Sequence, residues 1–321
     1  MTTPLDDSGL MTSKRVEASD AASDAAGGSA GGSAGGSAGA ELIVERALVG
    51  ALSAFGELTG GSIVQDDEAT RISSGTGFAA FNHVIGVHLR TADPDRRIAG
   101  ILVGFASPAV ALTWWVGPND VPADLADRLA RLGLEPDEPE FAMVLDLAST
   151  LPPMDGPSGV TLEPVRDAAT LDAWLGVMAA AYAWPDPAGK SALLRAMYAR
   201  ELDRADPPAS HHFLVRLEGR PAASSSLFVG GGQAFITNIG TIPGARGRGL
   251  GRLATLATLD LARSTGYSEA VLAASVDGRG LYRRLGFRDC GRFDRFVAPV
   301  DLIVGLAASP GAWQQSLGFV T

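Results

Sequence analysis

Between Thr241 and Leu253 the chain reads TIPGARGRGLGRL, four glycines and three arginines placed where an apolar run, AFITNIG, gives way to a helical pattern. A loop that leaves a strand and opens a helix offers free backbone N–H groups, and the helix dipole adds partial positive charge there. Such a place suits an anion. Gly247, Gly249 and Gly251 let the backbone come close and adopt positive φ, while Arg246, Arg248 and Arg252 bring formal charge that can surround a diphosphate. The competing reading is a solvated surface turn, which the strand–loop–helix context disfavours. The segment is no P-loop, because no Gly-Lys-Ser/Thr follows at the needed spacing. It is no Rossmann fingerprint either, because no first βα unit with a ribose-binding acid surrounds it.

The chain that must position this loop has 321 residues, 46% of them apolar, enough for about two domains with a core each. Its net charge of −10 repels polyanions, so nucleic acid is not expected as a partner. Cys290 is the only cysteine, which excludes an internal disulfide framework and fits a reducing, cytoplasmic setting. The histidines, His83, His88, His211 and His212, show no metal-binding helical spacing, so no metal is expected. The first residues lack the basic and apolar regions of a secretory signal, and no uncharged apolar run reaches the length of a membrane span.

Residues 1–39 contain GGSA repeats and read as a flexible leader. From residue 40 to 150 the pattern is mixed. A helix over ELIVERALVGALSAFGEL is followed by strand-like GSIVQDDEATRISSG and FNHVIGVHL, a helix after Asp93-Pro94, a strand AVALTWWVG, a helix DVPADLADRLARLG and a strand EFAMVLDL. Residues 151–158, rich in Pro, Gly and Ser, divide the halves. Residues 159–300 then read strand, two helices, three strands, the glycine-arginine loop, helix, strand, helix, strand, with 301–321 as a tail. The expected class is α/β (α+β), built from mixed, mostly antiparallel sheets flanked by helices.

The Arg246–x–x–Gly249–x–Gly251 spacing after a strand ending NIGTIP resembles the pyrophosphate-binding motif of the GNAT superfamily of N-acetyltransferases. A second segment, DGRGLYRRLGF from Asp277 to Phe287, is similar to the helix that carries the family's leaving-group tyrosine. The first half has the same rhythm of elements but reads PNDVPADL after its strand AVALTWWVG, with no arginine-glycine loop. The chain therefore resembles a tandem GNAT whose first half is degenerate and shapes the acceptor site.

This resemblance implies acyl-coenzyme A as co-substrate and an amine acceptor. Ile239, Thr241, Arg246, Gly247, Arg248, Gly249, Leu250, Gly251 and Arg252 would hold the cofactor, with an N–H near Ile239 as the oxyanion-type donor. Tyr282 would protonate or solvate the leaving thiolate. Asp277 stands where the family commonly has Asn. Many relatives carry a Glu on the strand before the loop, whereas this chain offers Thr237 and Asn238, neither of them a base. His211 and His212 are the candidate bases, with ordered water as the rival, and strand alternation points one of the two inward. No nucleophilic side chain marks the site, so direct attack without an acyl-enzyme is expected.

The overall build is similar to the teicoplanin-type acyltransferases, which implies a fatty acyl group passing to the amine of an amino-sugar on a glycopeptide pseudoaglycone. Mycothiol-synthase-like or aminoglycoside-type N-acetyl transfer, and a non-catalytic acyl-coenzyme A sensor, are the alternatives. Small residues from Ala222 to Gly232 would leave an acyl channel open, or form an ordinary strand and turn. Trp174, Tyr182 and Trp184 would stack on an acceptor or pack in the core. Trp114 and Trp115, successive on a strand, face opposite sides, one of them a candidate for a groove between the halves. Oligomeric state stays open.

Overall fold

The computed structural model describes residues 34–202, 210–230 and 232–308. Helix α1 (Ala34–Thr59) begins inside the segment expected to be a flexible leader; residues 1–33 lie outside the described residues. A hairpin of β1 (Ser62–Gln65) and β2 (Thr70–Ser73) follows, then β3 (His83–Ile85). The alternation in FNHVIGVHL yields only this short strand, because Gly86 takes a φ of 66° and turns the chain. Helix α2 (Pro94–Val103) starts where Asp93 accepts from Arg96 N–H at 3.0 Å, with proline at its first position. Next come β4 (Leu112–Val116), α3 (Leu125–Arg131) and β5 (Glu135–Asp146).

Past the Pro/Gly-rich segment lie β6 (Val160–Pro164), α4 (Ala168–Ala181) and α5 (Pro187–Leu202). A reciprocal cap between Asp167 and Thr170 opens α4. Strands β7 (Ser210–Leu217) and β8 (Arg220–Gly230) are joined by Glu218 and Gly219, both at positive φ, as a tight hairpin turn requires. Then follow β9 (Gln233–Thr241), α6 (Leu250–Ser264), β10 (Glu269–Ala274), α7 (Arg279–Arg284), β11 (Arg288–Ala298) and α8 (Val300–Ala308).

All eleven strands form one sheet in the order β1-β2-β3-β4-β11-β5-β10-β9-β8-β7-β6. Only β3–β4 and β9–β10 are parallel; the remaining pairs are antiparallel. The halves interlock at the centre. Strand β5, which precedes residue 151, lies between β10 and β11, and β11 also pairs with β4. Helix α8, in the segment expected to be a tail, buries Ile303 and Leu306 against Leu102 and Phe105 of the first half.

Alternation along β5 feeds two layers. Ala142 and Val144 face the α1, α4 and α5 side with Val44, Leu48, Trp174 and Phe228, whereas Met143 and Leu145 face the α6 and α7 side with Leu256, Leu259 and Tyr282. Trp114 and Trp115 divide in the same way, Trp114 into the first half's core and Trp115 into the central one. Both are buried, Trp115 with its indole N–H donating to His83 Nδ1 at 3.2 Å, so neither lines an open groove. Among the described residues no helix is long and apolar enough to cross a membrane.

Candidate active site

The sheet opens at its centre. Parallel pairing of β9 with β10 covers only Ala234↔Ala270 and Phe235↔Val271. Beyond that point β10 stays with β5 through Ala274↔Phe141, while β9 stays with β8 through Thr241↔Ala223. The two strands part, and backbone groups of β9 that would have bonded β10 face a gap.

A bulge sets which groups those are. The β8–β9 register jumps from Ser224↔Gly240 to Ser226↔Thr237, and Asn238 takes a left-handed φ of 54°. Asparagine is among the few side chains that enter this region at modest cost. Ser224 Oγ–H donates to the Asn238 carbonyl at 2.9 Å, and Asn238 Nδ2–H donates to Ser226 Oγ at 3.2 Å. Downstream, Ile242 N–H donates to Ala222 O at 3.0 Å, which fixes the phase of the ladder. Residues 242 and 240 bond toward β8, so Ile239 and Thr241 turn their backbone groups to the gap. Their carbonyls are taken by Tyr182 Oη–H at 3.1 Å and by Arg246 Nε–H at 3.2 Å. What they present to the gap is their N–H groups.

The glycine-arginine loop begins where β9 ends. Gly247 and Gly249 have φ of 74° and 79°, and Gly249 caps α6 without a side chain, so nothing of its own covers the first N–H groups of that helix, which begins at Leu250. Gly251 lies tight under β9: a Cβ there would stand 3.2 Å from Thr241 Oγ1. The arginines divide. Arg246 is braced on Thr241 O and on Ala181 O at 3.1 Å. Arg248 is exposed and has no ion pair among the described residues. Arg252, expected to surround the diphosphate, is instead turned to the segment between the halves, where it meets Asp155 Oδ1 at 2.8 Å and Pro153 O at 2.7 Å.

Tyr282, on α7, is buried against Phe287 with ring centroids 5.9 Å apart. Burial, with Tyr182 and Glu140 nearby, pushes its phenol far above the usual range, and burial does the same to Tyr182. Tyr182 and Tyr282 thus sit close together by the gap, Tyr182 touching β9 directly. Asp277 is exposed at the start of α7.

His212 is the inward member of its pair. It is 4% exposed, with Nε2 bonded to Ser210 Oγ at 3.0 Å and Nδ1 to Ser226 Oγ at 2.7 Å, and burial holds it down to about 3. With both nitrogens engaged it does not meet an acceptor amine, and the expectation that it serves as a base is corrected on that ground. His211 is half-buried, with its pKa lowered by burial. Trp174 and Trp184 are both buried; Trp174 packs on Tyr198 and His212.

Lys190 escaped the sequence reading, where a lysine early in a helix looks like surface. It is 3% exposed, its ammonium 4.9 Å from the Trp184 ring and 5.4 Å from Phe81 of the first half, and burial holds it down to about 8. No carboxylate pairs with it among the described residues. Among those residues, too, no group of three or more His, Cys, Asp or Glu is arranged to hold a metal ion.

A sheet parted beside a parallel pair, with a glycine-arginine loop and helix at its mouth, is the arrangement of an acyl-coenzyme A transferase. Residues 178–287 match the acetyltransferase (GNAT) family. Over 250 residues the chain is 31% identical to a mycothiol acetyltransferase of Nocardioides sp., covering 68% of this chain and 82% of that protein. It is 32% identical over 188 residues to another of that name from Pseudarthrobacter chlorophenolicus, covering 54% and 56%. Among solved structures, a GCN5-related N-acetyltransferase from Kribbella flavida superposes with a TM-score of 0.62 at 21% identity, covering 81% of this chain and 95% of that one. A tandem GNAT protein from the clavulanic acid biosynthesis pathway has a TM-score of 0.51 at 17% identity, covering 74% and 82%. The chain belongs to the acetyltransferase (GNAT) family, and its chemistry is N-acyl transfer.

Proposed function

We propose that the chain transfers an acyl group from acyl-coenzyme A to a primary amine by direct attack, in the gap between β9 and β10. The observation that carries this reading is the parting of those strands, with the N–H groups of Ile239 and Thr241 turned into the opening beside the Gly247–Gly251 loop. The diphosphate is held by Arg246, Arg248 and the first N–H groups of α6, which begins Leu250-Gly251. Arg252 braces the segment between the halves, and Asp277, exposed beside α7, is given no cofactor contact.

The neutral amine adds to the thioester carbonyl, and the oxygen's developing charge is met by Ile239 N–H. As the C–S bond breaks, Tyr282 donates a hydrogen bond to the sulfur. A phenol pushed so high does not give up its proton to a thiolate for good, since the transfer would run uphill. The proton that ends on sulfur comes from the amine, which leaves as the amide. Water carries it, because His212 is engaged on both sides. Replacing His211 by Ala should therefore leave kcat within about twofold, the ordinary scale for a residue outside the proton path. A loss of a hundredfold, recovered by added imidazole, would make His211 the base.

The relatives' name supports acetyl as the acyl group and mycothiol as the kind of product. The glycopeptide acceptor and fatty acyl group expected from the sequence gain no such support. Within Ala222–Gly232, Ser224, Ser225 and Ser226 are fully buried and used in hydrogen bonds to Asn238, Ala254 and His212. The test is thiol release from acetyl- and long-chain acyl-coenzyme A with three acceptors: the amine precursor of mycothiol, an aminoglycoside and a glycopeptide pseudoaglycone. Turnover is expected with acetyl-coenzyme A and the mycothiol precursor; turnover confined to a long-chain donor and the pseudoaglycone would reverse the assignment.

A further inference from the structure

From the end of α5 to the bulge in β9, five side chains join in one hydrogen-bonded line that the transfer chemistry does not itself consume. The Glu201 carboxylate, 5% exposed, takes two donors from Ser210, its N–H and its Oγ–H, each at 2.6 Å. A hydroxyl has a single proton. With that proton on Glu201, Ser210 Oγ can only accept from His212 Nε2, 3.0 Å away, so His212 carries its own proton on Nε2. Its Nδ1 is then an acceptor, and Ser226 Oγ–H donates to it at 2.7 Å. Ser226 Oγ in turn accepts from Asn238 Nδ2–H at 3.2 Å. Every donor points toward Glu201, so one buried anion sets the sense of the whole line. The imidazole cannot turn over easily, since Tyr198 and Trp174 stand 4.4 and 4.7 Å from it, centroid to centroid.

The line ends on the one residue of β9 with left-handed backbone. A non-glycine residue stays there only when its surroundings hold it, and such strain gathers where a backbone group must be aimed. We propose that this line is a positioning device: Glu201, through Ser210, His212 and Ser226, holds the Asn238 amide so that the bulge keeps the Ile239 N–H aimed into the gap. The proposal rests on the reading of Ile239 as donor to the thioester oxygen. It explains why a histidine at this place is buried between two serines.

Ser226→Ala cuts the line at its last link. In the ligand-free protein, backbone NMR of Asn238 should lose its left-handed signature in this variant. With acetyl-coenzyme A, kcat should fall about tenfold, a fraction of the loss seen when an oxyanion donor is removed outright, at nearly unchanged KM. The infrared carbonyl band of bound [1-13C]acetyl-coenzyme A should move back toward that of the free compound. Adding Asn238→Gly should restore most of kcat, because glycine holds positive φ unaided. An Asn238 that stays left-handed in Ser226→Ala overturns the proposal. A lost signature with an unmoved carbonyl band would uphold the line and refute Ile239 as donor. Should the variant not fold, 15N NMR of His212 in the wild-type protein decides: a proton on Nε2 is expected, and one on Nδ1 overturns the proposal.

Discussion

Tyr282 and Lys190 are two buried side chains whose pKa values burial moves in opposite directions, each toward the neutral form. Tyr282 stays neutral, so the service we propose for it is a hydrogen bond to sulfur. Tyr282→Phe should lower kcat by about 10- to 100-fold, the scale of one positioned donor, while coenzyme A affinity by calorimetry stays put. An unchanged kcat would remove Tyr282 from the chemistry. Lys190, held down to about 8, binds fewer protons folded than unfolded between there and its ordinary 10.5. Stability must therefore rise with pH across that window, and below it the folded state bears the whole penalty. Lys190→Met should remove that rise and stabilise the protein at neutral pH. The gain is at most about 3 kcal/mol, less the cation–π contacts given up. Denaturant melts at pH 7 and 10 check both; a wild-type curve flat over that range would contradict them.

At the scale of elements, the loop between β9 and α6 depends on backbone shapes that only glycine takes without strain. A Cβ on Gly249 meets nothing within 4 Å, so Gly249→Ala is a purely conformational change at a φ of 79°. It should cost about 1–2 kcal/mol of stability and weaken coenzyme A binding, read by a thermal melt and by calorimetry on one sample. Gly251→Ala acts differently, placing a Cβ 3.2 Å from Thr241 Oγ1, so that the threonine side chain must give way slightly. The strand–loop–helix build of this segment was legible in the sequence, because glycines at a fixed spacing mark where the backbone takes positive φ and the helix begins. The bulge was not legible, since a single Asn238 in an apolar strand carries no sign of its φ. Nor was the hydrogen-bonded line, whose members come from one helix and three strands. Nor was the ion pair of Arg252 with Asp155, which lies far from it in sequence.

Across the whole molecule, the expected class of mixed, mostly antiparallel sheet with flanking helices is what the chain builds, as one continuous sheet. Chain order could not show that β5 would lie between β10 and β11, because each strand's pattern specifies burial and not its neighbours. The interlock makes a prediction. Thermal unfolding of the intact chain should be a single transition, and a fragment of residues 159–321, which lacks β5, should not fold alone. Two separate calorimetric transitions, or a folded fragment, would contradict it. The same interlock places the gap at the centre of the molecule, with α1 and Phe81 of the first half lying over the face that holds Lys190 and Trp184. The central claim, that this gap takes the thioester, is tested most directly by a crystal structure with coenzyme A. The pantetheine arm should run between β9 and β10 beside Ile239, with the diphosphate over Gly247–Gly251. A diphosphate bound elsewhere, or an arm that leaves the gap empty, would contradict the account.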